Sequence, residues 1–360
     1  MINFDETKAC RKCLLPEPLI RLNEDHVCGE CMNYMPPVLK GMAALKEEFE
    51  SKEKKGDYDC MVGISGGRDS MYALYMAKKL LNLKVLAFNY NNEFVHEQAI
   101  ANMRDACKNL DVDFISIVSK RNICHKIVAD QLRIASSFGP GALCACLCGP
   151  CNVGGFLSAK KVALQKKIPI IIFGNSDEER LSDFLKIGKR IPFKQKITNK
   201  TAPFFIRAQC NKLLQRMEFS SSFKETMNFC FTSGNENPGS QQISGTKILS
   251  VYNYIKWDRR KIVNAIEKEL GWRKPENQVS SWRFDCRLIP LVNYLWVKAC
   301  GYPKAFLGYV QMIRSGTMTK KEALGQLYGT DWGEFTREME EFLLNDLKIG
   351  QKHIDIIKSY

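Results

Sequence analysis

The sequence contains no run of 18 uninterrupted apolar residues, so no membrane-spanning helix is expected. Met1–Lys8 holds two acids and no apolar core segment, so no secretory leader is expected and the chain reads as cytoplasmic. No G-x-x-x-x-G-K-[ST] spacing occurs, which excludes a Walker A loop. Histidine is scarce, and His26, His96, His125 and His353 follow no metal-binding spacing; they read as solvent-facing or locally satisfied. Internal repeats and low-complexity tracts are missing too, which argues against a solenoid. Acids are in deficit, 39 against 53 basic residues, for a net charge of +14. That balance favours anionic partners such as ATP, a nucleotide-linked sugar or RNA without choosing among them.

What the chain does have is a phosphate-type loop. Ser65-Gly66-Gly67-Arg68-Asp69-Ser70 follows a mostly apolar run, Tyr58 to Ile64, and opens an amphipathic stretch, Met71 to Leu80. The pattern is strand, glycine turn, helix. Glycines let backbone N–H groups converge without Cβ interference, and the helix directs its positive end at the same point. Ser65 and Ser70 add hydroxyls and Arg68 a cation, a set that suits a polyphosphate and its departing pyrophosphate. Asp69 does not suit phosphate directly; it implies a bound Mg²⁺ or a turn-stabilising role.

The 360 residues, 45% of them hydrophobic, are enough for two or three compact units. An N-terminal module spans 1–40, and a charged helix-prone segment, Gly41 to Gly56, leads into a core domain at 57–250. Val85–Tyr90, Phe114–Val118 and Ile170–Phe173 read as the strands after the first, with Glu97–Leu110 as a helix between them. Apolar strands alternating with helices imply an α/β fold, a doubly wound parallel sheet with ligands at the carboxyl ends of its strands. Beyond Asp177 the periodicity loosens. Lys186 to Lys200 is basic and reads as a solvated face that could guide an anionic substrate; Ser233 to Gly245 reads as an inserted or mobile region. Residues 251–360 read as a helical extension holding all five tryptophans, which read as core, like Tyr252 and Tyr254, rather than as a base-stacking platform.

Fifteen cysteines in a long chain with CxxC pairs favour metal binding and catalysis over disulfides. Cys10-x2-Cys13 and Cys28-x2-Cys31, 14 residues apart, can place four thiolates around one Zn²⁺ as a structural ribbon; a redox pair or an iron–sulfur cluster are the alternatives. A second constellation, Cys144, Cys146, Cys148 and Cys151, falls between the third and fourth strands. Cys148 and Cys151 are candidates for ligating a 4Fe–4S cluster with a third cysteine, Cys286 in preference to Cys230. Alternatively they are a nucleophile and its resolving partner. Cys60, Cys107, Cys124, Cys210 and Cys300 read as structural. Strand ends add Asn89, Gly174, Asn175 and Asp177 as nucleotide-site candidates.

The Ser65–Ser70 stretch resembles the S-G-G-x-D-S signature of PP-loop ATP pyrophosphatases. The resemblance implies that ATP is split between its α- and β-phosphates and that the AMP half adenylates a substrate oxygen. Both ends of the chain resemble a narrower family, the N-acetyl sugar amidotransferases of surface-polysaccharide and nonulosonic acid pathways. Cys10-Arg11-Lys12-Cys13-Leu14-Leu15-Pro16 and Ile20 to Tyr34 look like that family's zinc ribbon, and Met312 to Ala323 looks like its C-terminal helix. This likeness implies that ammonia, from a glutaminase and cyclase pair similar to that of histidine synthesis, displaces AMP to leave an acetamidino group. The Cys144–Cys151 cluster departs from that pattern. It resembles the CxxC of thiolating PP-loop enzymes, including makers of 2-thiouridine in tRNA, which deliver sulfur after the same adenylation.

Overall fold

The computed structural model describes residues 4–17, 20–50, 56–118, 123–136, 139–175, 242–243, 246–276 and 283–360. Asp177, Cys210, Cys230, Trp282 and the basic stretch from Lys186 to Lys200 lie outside the described residues.

Five parallel strands form the sheet: β1 (Cys60–Gly63), β2 (Val85–Asn91), β3 (Asp113–Val118), β4 (Ile170–Phe173) and β6 (Thr246–Ser250). A short antiparallel β5 (Gln242–Ile243) adds an edge, and the order is β3-β2-β1-β4-β6-β5. The α/β doubly wound reading therefore holds. The four strands read from apolar runs are present, and β6 is an addition, in the stretch between Gly245 and Val251 to which the sequence reading gave no element. Its run, Thr246-Lys247-Ile248-Leu249-Ser250, is short and carries a lysine among only two large apolar residues. Strand order reverses between β1 and β4, so the crevice at their carboxyl ends is where such a sheet receives ligands. Gly63 at the end of β1 lies level with Phe88 and Phe173 on its neighbours.

The helices before β5 are α1 (Gly29–Met32), α2 (Gly41–Glu50), α3 (Arg68–Tyr75), α4 (Glu97–Leu110), α5 (Ile123–Ala135), α6 (Pro140–Cys146) and α7 (Gly149–Gln165), of which α3 and α7 pack on the strands. After the sheet come α8 (Arg259–Leu270), α9 (Ile289–Cys300), α10 (Lys304–Arg314), α11 (Lys320–Tyr328), α12 (Arg337–Glu341) and α13 (Gln351–Lys358). Among the described residues no helix is long and apolar enough to cross a membrane. One core cluster joins the N-terminal cysteines to α3, α4 and α8, together with Trp257, Trp272, Tyr302 and Phe306. A second gathers Cys124, Leu143, Tyr294, Trp296 and Phe342. Tyr252, Tyr254, Trp257, Trp272 and Trp296 are all buried, in keeping with their reading as core.

Gly174, just past β4, sits against the start of α3. A Cβ there would stand 2.6 Å from the Asp69 carbonyl oxygen and 2.6 Å from the Ser70 Cα. Both are backbone, so the clash has no flexible side chain to relieve it. Gly174→Ala should cost roughly 1–3 kcal/mol, read as a lower thermal midpoint, and should displace the loop that α3 carries.

Candidate functional site

The Ser65–Ser70 loop closes on itself. The Ser65 N–H donates to Ser70 Oγ (3.1 Å), the Gly67 N–H donates to Ser65 Oγ (3.3 Å), and the Ser70 hydroxyl donates to the Gly67 carbonyl (3.0 Å). Gly66 adopts φ +81, and a Cβ on it would stand 2.3 Å from the Ala99 carbonyl oxygen. Only glycine fits there. Gly67 immediately precedes α3 and has no side chain with which to cap it, so the first amides of the helix face the loop mouth. The Gly66 carbonyl accepts the Asn102 amide of α4 (3.3 Å) and the Trp272 indole N–H (2.8 Å), the latter tying the turn to the C-terminal half.

Asp69 and Arg68 lie beneath the loop, 7% and 3% exposed. Asp69 Oδ1 accepts the Trp257 indole N–H at 2.6 Å, and Oδ2 accepts from Arg68 Nε at 3.3 Å. The Tyr252 hydroxyl reaches the Asp69 carbonyl at 3.3 Å, and the Arg68 guanidinium stacks over the Trp257 ring at 5.2 Å. Of the two roles the sequence left open for Asp69, these contacts match the turn-stabilising one. Arg68 is likewise committed to the anchor. Burial, and then the Arg68 charge, lower the pKa of the nearby Arg259.

The strand-end candidates brace the same region. Buried Asn89 donates to the Ile64 carbonyl (2.9 Å) and accepts from Ser116 (3.2 Å). The Asn175 carbonyl accepts the Ser250 hydroxyl (2.5 Å), which links β4 to β6.

Cys148 and Cys151, three residues apart, meet the distant Cys286 against the second core cluster. Cys148 precedes α7 and Cys151 lies in its first turn, while Cys286 forms an antiparallel bridge with Val95 just after β2. The Cys151 thiol hydrogen-bonds to Cys124, and this bond, then burial, raise its pKa well above the ordinary thiol value, with smaller contributions from Cys286 and Cys148. Burial pushes Cys286 up to about 12. The buried Lys304 ammonium donates to Cys148 Sγ at 3.9 Å. Cys124, read from sequence as structural, also meets the Tyr90 hydroxyl at 3.3 Å and so belongs to this group. Cys144 is buried in the apolar cluster beside it, and Cys146 ends α6. Asp285, one residue before Cys286, presents its carboxylate to Gly67: a Cβ on that glycine would stand 3.4 Å from Asp285 Oδ2. The pair therefore spans the ground between loop and thiols.

At the N-terminus the sulfurs of Cys10, Cys13, Cys28 and Cys31 all lie within 4.8 Å of one another. The Cys13–Cys28 separation is 3.8 Å. A tetrahedral ion with bonds of about 2.3 Å to sulfur has an edge of about 3.8 Å, so the four donors could hold one metal ion. Backbone N–H groups of Cys28 and Cys31 donate to Cys10 and Cys28 sulfurs, and Arg314 of α10 reaches Cys13 (3.5 Å) and Cys28 (3.7 Å). Hydrogen bonds from Cys13 and Cys31 lower the Cys28 pKa, while the Cys28 contact raises that of Cys13. Among the described residues no second set of three donors is this tight.

Trp257, Trp272, Tyr252, Asn102 and Asp285 had no motif to mark them in the sequence. Trp257→Phe keeps the ring but removes the donor to a buried carboxylate. It should cost about 2 kcal/mol in urea unfolding, because the start of α3 loses its anchor.

No family model matches the chain. Among curated proteins it is similar to Uncharacterized protein MJ1599 of Methanocaldococcus jannaschii, 30% identical over 93 residues, which are 25% of this chain and 34% of that protein. The chain thus matches about a third of that relative's length. Among solved structures it is similar to the U34-tRNA thiolase NcsA from Methanococcus maripaludis with its 4Fe–4S cluster, at 15% identity and TM-score 0.33, covering 86% of each chain. It is also similar to NMN synthetase from Francisella tularensis, at 13% identity and TM-score 0.29, covering 66% of this chain and 95% of that one.

Proposed function

We propose that this chain is an ATP-dependent thiolating enzyme, releasing AMP and pyrophosphate, that adenylates a substrate oxygen and exchanges it for sulfur. The observation that carries this reading is the adjacency of Asp285, set against the loop, and Cys286, set among the Cys148 and Cys151 thiols. One step along the backbone joins a phosphate cradle to a group of soft sulfur donors.

The Gly66–Gly67 turn and the first amides of α3 bind the triphosphate tail and stabilise the departing pyrophosphate. The substrate oxygen attacks the α-phosphorus, and the bond to the bridging oxygen breaks. Sulfide then attacks the activated carbon, and AMP leaves with the original oxygen, so carbon ends doubly bonded to sulfur. Cys148, Cys151 and Cys286 would hold an iron–sulfur cluster, which supplies a labile site for sulfide when bound. Lys304 beside Cys148 offsets the negative charge that thiolates bring into a buried pocket. The net charge of +14 suits an anionic substrate, RNA included.

A second reading keeps the adenylation and delivers ammonia, supplied by a glutaminase and cyclase pair, to an N-acetyl sugar. It is supported by the contact of Arg314 with Cys13, since both stretches that resemble sugar amidotransferases meet there.

With ATP and candidate sugars or tRNA under anaerobic conditions, AMP and pyrophosphate should appear only with the right substrate; ADP would sink the assignment. Cys148→Ser and Cys286→Ser should keep AMP formation while losing the sulfur-bearing product in mass spectrometry. An amidino product made equally well by both variants would favour nitrogen instead.

The N-terminal cysteines are proposed to hold a structural Zn²⁺. Elemental analysis should find stoichiometric zinc that Cys13→Ser removes, with a lowered thermal midpoint, because metal binding contributes directly to folding.

A further inference from the structure

Main-chain bonds place Asp285. The His96 N–H donates to the Asp285 carbonyl (3.0 Å), and the Arg287 N–H donates to that of Phe94 (2.7 Å). With the Cys286–Val95 bridge between them, these bonds fix the segment beside the carboxyl end of β2. The side chain is thereby held at the loop. Its Oδ2 lies 3.4 Å from the position of a Cβ on Gly67, and Ser65 Oγ lies 3.3 Å from the same position. Its other oxygen, Oδ1, is shielded from solvent and accepts no hydrogen bond from any described residue.

A buried carboxylate oxygen without a donor is costly, and an anion beside an anion-binding loop is repelled by the very ligand the loop accepts. A divalent cation removes both problems. Mg²⁺ is commonly held by one or two carboxylates together with substrate phosphate oxygens. Asp69, the carboxylate that the loop motif offers, has Oδ1 and Oδ2 already engaged by Trp257 and Arg68. Asp285 has Oδ2 at the loop and a buried Oδ1 that accepts no hydrogen bond among the described residues.

We propose that Asp285 is the metal-binding carboxylate of the nucleotide site, ligating the divalent cation that accompanies the triphosphate. This rests on the reading of Ser65–Ser70 as the ATP loop. The test uses the full chain with α,β-methylene ATP and Mn²⁺ as the probe, followed by electron paramagnetic resonance. In Asp285→Asn, the Mn²⁺ affinity in the presence of the nucleotide should fall by roughly tenfold or more, while metal-free nucleotide binds as well as to wild type or better. Asp285→Cys should regain metal binding with Cd²⁺, a soft ion, but not with Mn²⁺. Unchanged Mn²⁺ affinity in Asp285→Asn overturns the assignment with the ATP site left standing. Loss of metal-free nucleotide binding in that variant also overturns it, since the carboxylate would then be shaping the loop. Wild-type protein that binds no nucleotide removes the ATP reading itself, and this proposal with it.

Discussion

A carboxylate buried beneath the loop is what ties the two halves of this protein together. Asp69 belongs to the S-G-G-x-D-S stretch, yet its oxygens are taken up by Trp257 and Arg68 rather than turned to the loop mouth. A buried charge left without partners would be strongly unfavourable, so the C-terminal indole must dock wherever α3 begins. Trp272 repeats the device one turn earlier by binding the Gly66 carbonyl. The conformation of the loop therefore depends on residues roughly two hundred positions downstream, and the loop cannot be regarded as a self-sufficient motif.

The same downstream region brings two chemistries into register. Asp285 and Cys286 are consecutive, and the isolated bridge of Cys286 with Val95 holds both just past the end of β2. Asp285 meets the loop, and Cys286 joins the thiols set by α7 and α5. Any shift of this short segment moves both groups together. The loop and the thiol group are thus mechanically linked through this segment.

The N-terminal knuckles are integrated in a comparable way. Their sulfurs belong to the main core cluster, Arg314 reaches two of them from α10, and Phe4 packs edge-on against Phe306 at 5.2 Å. Seen so, the module fastens the C-terminal helices that in turn carry α10 and its neighbours. Its four thiolates would be over-rich in negative charge around a divalent ion, and the guanidinium offsets that excess.

Where chemistry is carried by near neighbours in the chain, sequence was enough. The glycine turn, the strand before it and the helix after it follow from local steric and hydrogen-bonding rules, and the apolar runs imposed four parallel strands. The paired CxxC spacing likewise specified a tetrahedral cysteine set, since each knuckle is a local turn. Tertiary structure alone decided the rest. The fifth strand, Thr246–Ser250, is apolar enough only in the company of β4. Cys124 looked like core filler until α5 carried it against Cys151, and nothing in the spacing showed that Trp257 would reach Asp69. Partners separated by many residues leave no spacing to read; their meeting is set by packing, in which burial has to satisfy every charge and donor at once.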